Sequence, residues 1–190
     1  MSQKGVLTGV DLTDEQYTVE QAYVRNKYQV FEESGELVLR AKQKLFRMKE
    51  EFPFVDADDE PVFTVKASGI IDIAGDYSIV DETTGETVAV LDKNFTLLKH
   101  VWQVRGPDGA ELARIESQSA ALEFLRGLSI LTAIIPHRYD ITGPGGTQYG
   151  SIEGQLSIRD RYDITIQETG DAPREALVAA AIAIDALEGN

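Results

Sequence analysis

The chain holds few side chains able to do covalent chemistry. It has no cysteine and only two histidines, His100 and His137. Thiolate nucleophiles, disulfides and cysteine-based zinc sites are therefore excluded. Gly150-Ser-Ile-Glu-Gly154 looks like a nucleophile elbow, but its serine stands one place too early for Gly-x-Ser-x-Gly. A serine hydrolase also needs a positioned histidine. His100 lies at period two between Leu98 and Trp102, and His137 follows the helix-stopping Pro136, so both read as packing or solvated residues.

Asp56-Ala-Asp-Asp-Glu60 imitates the first half of a calcium loop. The place of the sharp-turn glycine holds Pro61, however, and the twelfth position is Ala67 rather than glutamate. The segment reads as a solvated hairpin turn. Gly143-Pro-Gly-Gly-Thr-Gln148 lacks the last glycine of a dinucleotide loop and the Lys-Thr pair of a phosphate loop, so it too reads as a turn. No metal or cofactor is expected.

One candidate site remains, the basic run Lys42, Lys44, Arg47 and Lys49. On a strand, Lys42 and Lys44 share one face and Arg47 and Lys49 the other, unless a bulge intervenes. The cluster could grip an anionic head group or an acidic peptide. Alternatively, it is a charged strand edge protected against pairing.

Around that cluster the chain is acidic. Eighteen Lys and Arg face 32 Asp and Glu, for a net charge of −14. Such a surface repels nucleic acid, which is excluded as a partner. It suits a cytoplasm of molar salt, where the screening length falls to about 3 Å. The rival explanation is an ordinary acidic protein that binds a basic partner. No secretory leader is read at Met1-Ser-Gln-Lys-Gly-Val, and the apolar runs Leu128–Ile135 and Ala176–Leu187 fall short of the ~20 residues that span a bilayer. A soluble, cytoplasmic protein is expected, with peripheral membrane contact left open.

The elements that would carry these residues repeat. Aromatics at Tyr28, Phe52, Tyr77, Trp102, Tyr139 and Tyr162 are spaced 24, 25, 25, 37 and 23 residues apart. After each comes a short period-two run, then acidic or turn residues; in all but the degenerate Phe52 copy a glycine closes the turn. Each unit that continues into a second apolar run reads as a hairpin. Six units yield about a dozen strands if the last is completed from the N-terminus, and short strands at regular spacing suggest a sandwich or closed barrel. Two strands per unit suit a meandering barrel, whose closure removes exposed edges, better than the alternative propeller or solenoid. The long gap contains an expected inserted helix over 119–135, with Ala121, Phe124, Leu125, Leu128, Leu131 and Ile135 on one face.

Asp171-Ala-Pro-Arg-Glu-Ala predicts a helix start, with Asp171 as cap and Pro173 in the first turn. The run Ala176–Ile184 is apolar on every side, so the helix over 173–187 must be buried all round. At about 1.5 Å per residue it reaches ~22 Å, which suits the axis of a small barrel. Asp185 would then sit near the far mouth. The expected domain covers 22–190, preceded by an N-terminal segment over 1–21.

The aromatic-led hairpins, the Trp102-Gln-Val phrase and the terminal Pro173-Arg-Glu-Ala-Leu-Val-Ala-Ala-Ala-Ile-Ala-Ile-Asp185 together resemble the LURP-one-related family. That family belongs to the tubby C-terminal-like superfamily, which also holds the phospholipid scramblases. The resemblance spans roughly residues 22–187. It implies a mainly β fold with α, a twelve-stranded closed antiparallel barrel enclosing a buried apolar C-terminal helix. It also implies a non-enzymatic binding or scaffold domain, with an anionic lipid head group or an unknown protein as partner. A lipid-moving, scramblase-like protein and a small-ligand carrier or enzyme at the barrel mouth are the alternatives. The heavy negative charge and the absence of cysteines to palmitoylate depart from the membrane-acting relatives.

Overall fold

The computed structural model describes residues 7–22, 27–41, 51–67, 77–95, 100–118, 138–155 and 160–188. Twelve strands alternate in direction: β1 Gln16–Ala22, β2 Lys27–Glu32, β3 Leu37–Ala41, β4 Phe52–Val55, β5 Pro61–Ala67 and β6 Tyr77–Asp81. Then come β7 Thr87–Phe95, β8 His100–Arg105, β9 Glu111–Ser117, β10 Arg138–Thr142, β11 Gln148–Gln155 and β12 Asp160–Ile166. Each pairs antiparallel with its sequence neighbour, and β1 pairs with β12 from Gln16↔Thr165 to Gln21↔Asp160, which closes the ring. The last strand is thus completed from the N-terminus. The wall begins at Gln16, within the stretch read above as an N-terminal segment. The helix expected over 119–135 lies outside the described residues.

Period-two alternation makes the wall. Trp102 and Val104, Ala113 and Ile115, Tyr162 and Ile164 point inward and are buried, while their neighbours face out. Phe54 and Phe63 stand opposite one another on β4 and β5, stacked with centroids 4.5 Å apart. On β5, Val62 and Thr64 are buried as well as Phe63 and Val65. Residues 7–12 cause this departure by crossing the outer face there. A Cβ added at Gly9 would meet the Val62 Cα at 3.5 Å, and Leu7 and Leu12 join the core.

The lumen holds α1, Arg174–Glu188, which packs against β12, β7 and β8. Every residue from Ala176 to Ile184 is at most 1% exposed. A helix apolar on all sides has found apolar neighbours on all sides. Its alanines let the strand walls approach the axis. The carbonyl accepting the first helical N–H is that of Pro173, from Leu177 at 3.3 Å, so Pro173 occupies the capping position rather than Asp171. Proline's fixed φ suits this entry. Arg174 ties the entry down, donating to the carbonyls of Asp14 (3.1 Å) and Ile166 (2.5 Å).

Four of the five tight hairpins share one hydrogen-bond pattern. The first turn residue, Glu32, Asp56, Gly106 or Gly143, donates its N–H to the carbonyl four residues on and accepts from the N–H three residues on. Each has a register shift beside the turn. This is the turn-plus-bulge hairpin that needs a left-handed residue at its end. Gly35, Gly109 and Gly146 supply it, and in the degenerate copy Asp59 does, at φ 74°. The fifth turn, from Asp81, is one residue longer: Asp81 N–H reaches the Glu86 carbonyl.

Candidate binding surfaces

Alternating strands sort the connections to two ends of the barrel. At one end lie the tight turns, residues 7–15 and the start of α1. At the other, called here the rim, the strands are joined by 23–26, 42–51, 68–76, 96–99, 118–137 and 156–159. The basic run falls on the second of these, so Lys42, Lys44, Arg47 and Lys49 lie outside the described residues. The strands that flank them, β3 and β4, end at the rim, where Ala41 pairs with Phe54.

The repeated aromatics also belong to the rim. Each opens the strand that leaves it, and Tyr28, Trp102, Tyr139 and Tyr162 are buried around the lumen. Trp102 is fully buried, with the Tyr77 ring 6.1 Å away at a 49° tilt. Directly opposite Trp102 on β7 is Lys93, whose Nζ lies 5.5 Å from the ring centroid. An ammonium over an indole face is attracted by the ring's quadrupole. Lys93 is exposed, so this cation is both held and presented. Lys93 stands alone in the sequence, outside any basic run. Its signal is register: it follows Ala89 and Leu91 at period two, an inward position reached where the wall ends.

The turn end is organised around a buried carboxylate. Asp81 is fully buried and accepts from the N–H and hydroxyl of Thr8 (2.7 and 3.0 Å) and from those of Thr84 (2.7 and 3.0 Å). Burial alone would raise its pKa. The Thr8 and Thr84 donors outweigh burial and hold the carboxyl below its ordinary range. The extra residue of this turn brings Thr84 into place, and the outcome is a clasp between residues 7–10 and the wall. Glu32 behaves oppositely. Burial raises it, and the carboxylates of Asp14, Glu36 and Asp11 add repulsion. Tyr17 nearby is pushed far up, chiefly by burial. On the outer wall, Asp92 accepts two hydrogen bonds from the Arg105 guanidinium, which raises the arginine's pKa.

The other sequence motifs are not assembled into reactive sites. Ser151 is on β11, with Oγ 3.3 Å from Glu153, while His100 is on β8 with two strands between them. Asp56 Oδ1 accepts from the N–H groups of Asp58 (2.8 Å) and Glu60 (2.9 Å), and Asp59 pairs with Arg40 at 3.1 Å. That acidic run is spent on its own turn. Among the described residues no His, Asp and Glu cluster could hold a metal ion. Gly143 opens a single 3-10 turn at Pro144–Gly146, and a Cβ there would fall 2.0 Å from the Tyr149 ring. His137 and the Asp185 side chain lie outside the described residues.

The model of the LURP-one-related family matches residues 15–185. This chain belongs to that family. The LURP-one-related match takes in all twelve strands and most of α1. Among solved structures, a crystal structure of an Arabidopsis thaliana protein is similar, with a TM-score of 0.55 at 12% identity over 95% of this chain and 96% of that one. The shared fold is the tubby-like one, a closed barrel around a helix. No curated protein matches the chain. This LURP-one-related barrel therefore has the architecture of a binding or scaffold domain.

Proposed function

We propose that the domain is a non-enzymatic binding module whose rim engages an anionic ligand through Lys42, Lys44, Arg47 and Lys49, with Lys93 as an added cation. The observation that carries this reading is the filled lumen. With Ala176–Ile184 packed into the barrel axis, a ligand must be met at the surface. The connections that topology assigns to the rim carry eight basic and five acidic residues in the sequence. The family's tubby-like fold points the same way, toward binding rather than catalysis. A cytoplasmic, membrane-peripheral position belongs to the same proposal. The lipid-moving alternative would require α1 to leave its packed site; no helix among the described residues is long and apolar enough to cross a membrane.

The test is flotation with vesicles containing phosphatidylserine or a phosphoinositide, at 0.15 and 1 M KCl, about 8 and 3 Å of screening. Wild type should float at the lower salt, and reversal of the four loop charges to glutamate should abolish it. A protein that floats equally well with the loop reversed sinks the site. One that never floats turns the search toward an acidic protein ligand for the same rim.

A further inference from the structure

The two ends of the barrel differ in charge far more than the composition suggests. The turn-end connections carry two acidic residues in 33–36, four in 56–60, two in 82–86, one in 106–110, none in 143–147 and two in 167–173. Residues 7–15 add Asp11, Asp14 and Glu15. These fourteen carboxylates are accompanied by no lysine or arginine in the same segments. The rim connections hold eight basic and five acidic residues, and the strands ten acidic and eight basic. Adaptation to salt would spread the acid over the whole surface. Here the negative charge is gathered at one end.

That end also holds a cleft of about 470 Å³, between the β8–β9 turn, the β10–β11 turn and the segment leading into α1. Its apolar lining comes from Val88, Leu112, Tyr149 and Ala172, and its acids are Asp108, Glu111 and Asp171. The walls are stiff. Pro107, Pro144 and Pro173 restrict three backbone positions. Tyr149 is locked between Gly143 and Gly170, where an added Cβ would fall 2.0 and 2.3 Å from its side chain. Asp108 is fixed by the N–H of Ala110 at 3.0 Å, and Glu111 by Gln103 at 2.9 Å. Arg174 and Arg40 reach this end, but the fourteen carboxylates outnumber them. A rigid, part-apolar cleft in a mainly negative field loses little freedom on binding and selects a partner of opposite sign.

We infer that this cleft docks a basic segment of a partner protein, one carrying lysine or arginine beside an aliphatic side chain. The ammonium or guanidinium meets Asp108 and Asp171, and the aliphatic group covers Leu112 and Tyr149. The surface is distinct from the rim, so the inference stands whether or not the rim binds anions. Together the two would make the domain an adaptor with opposite preferences at its ends.

The probe is a capped hexapeptide, Lys-Leu-Lys-Lys-Leu-Lys, titrated into the isotopically labelled chain. A version with glycine in place of leucine is the comparison. Amide shifts should centre on Asp108, Leu112 and Asp171, and the glycine peptide should bind at least tenfold more weakly. Asp108→Lys with Asp171→Lys should reduce affinity tenfold or more, whereas Asp58→Lys with Glu82→Lys, an equal charge change on other turns, should reduce it less than threefold. Equal binding of the two peptides, equal loss in the two variants, or shifts spread over residues 33–36 and 56–60 would reduce the effect to bulk attraction and overturn the inference. The shift map on the unmodified chain decides the matter even if a variant misfolds.

Discussion

The rim and the turn end are built from the same strands yet differ in nearly everything that water and ligands meet. At the turn end, four hairpins repeat one hydrogen-bond pattern, a fifth clasps residues 7–10 through Asp81, and acid far outnumbers base. At the rim, the connections run to 20 residues, the charge is slightly positive, and aromatics surround the lumen. Short connections fix geometry and leave only side-chain charge to vary. Long ones can be exchanged without disturbing the wall. One end is thus suited to rigid recognition, while the other has room for sequence to vary.

The largest effects fall on the element joining the two ends. Ala180→Glu would bury an unpaired carboxylate in the barrel axis, so folding should be lost, visible as collapse of far-UV and near-UV signals together. Ala180→Leu overfills the same place and should cost about 1–3 kcal/mol in urea unfolding.

Asp81→Ala acts on the turn end alone. It leaves the Thr8 and Thr84 donors short of a charged acceptor and should cost about 2–4 kcal/mol, with amide exchange at those residues rising before that of Trp102. Because the folded carboxyl titrates below its unfolded value, its contribution is complete above about pH 4 and drains away as pH falls through the folded pKa. The alanine variant should therefore show a flatter acid limb than wild type.

Smaller effects sharpen the contrast. Arg105→Ala removes a partly buried ion pair of the wall and should cost about 1 kcal/mol, less at high salt. Glu32→Gln should stabilise by a few tenths of a kcal/mol near neutrality, because the folded state raises this carboxyl and its charge is unwelcome above that pKa. A destabilising result at low ionic strength would show that the acidic turn end is not self-repelling.

The hairpins were legible because Tyr28, Tyr77, Trp102, Tyr139 and Tyr162 each precede a period-two run and a glycine, and because only an enclosed site tolerates Ala176–Ile184. Twelve strands, closure and the lumen helix follow from those patterns. Residues 7–12 were not legible as part of the wall's cover: Thr8 and Gly9 carry no periodicity, and their partner Asp81 is 73 positions away. Lys93 escaped notice because its role depends on standing opposite Trp102, a fact of register rather than composition. The charge asymmetry was hidden for a different reason. In an up-and-down barrel, alternate connections share an end, so a net charge of −14 means little until it is divided by connection parity. The basic run at Lys42–Lys49 was plain in the sequence, and its geometry lies outside the described residues.

Closure of the ring has a consequence for synthesis. Thr18 meets Asp163 across 145 positions, and α1 follows every strand. A chain emerging from the ribosome makes its neighbouring hairpins first, but β1 waits for β12, and the wall waits for the helix that fills it. Until then the inward faces of eleven strands have no lumen to line. Contacts of such long separation form slowly, and the open intermediate exposes edges and apolar faces together. The helix that completes the core leaves the ribosome after every strand, so a chain ended before Ala176 yields hairpins with nothing to close upon.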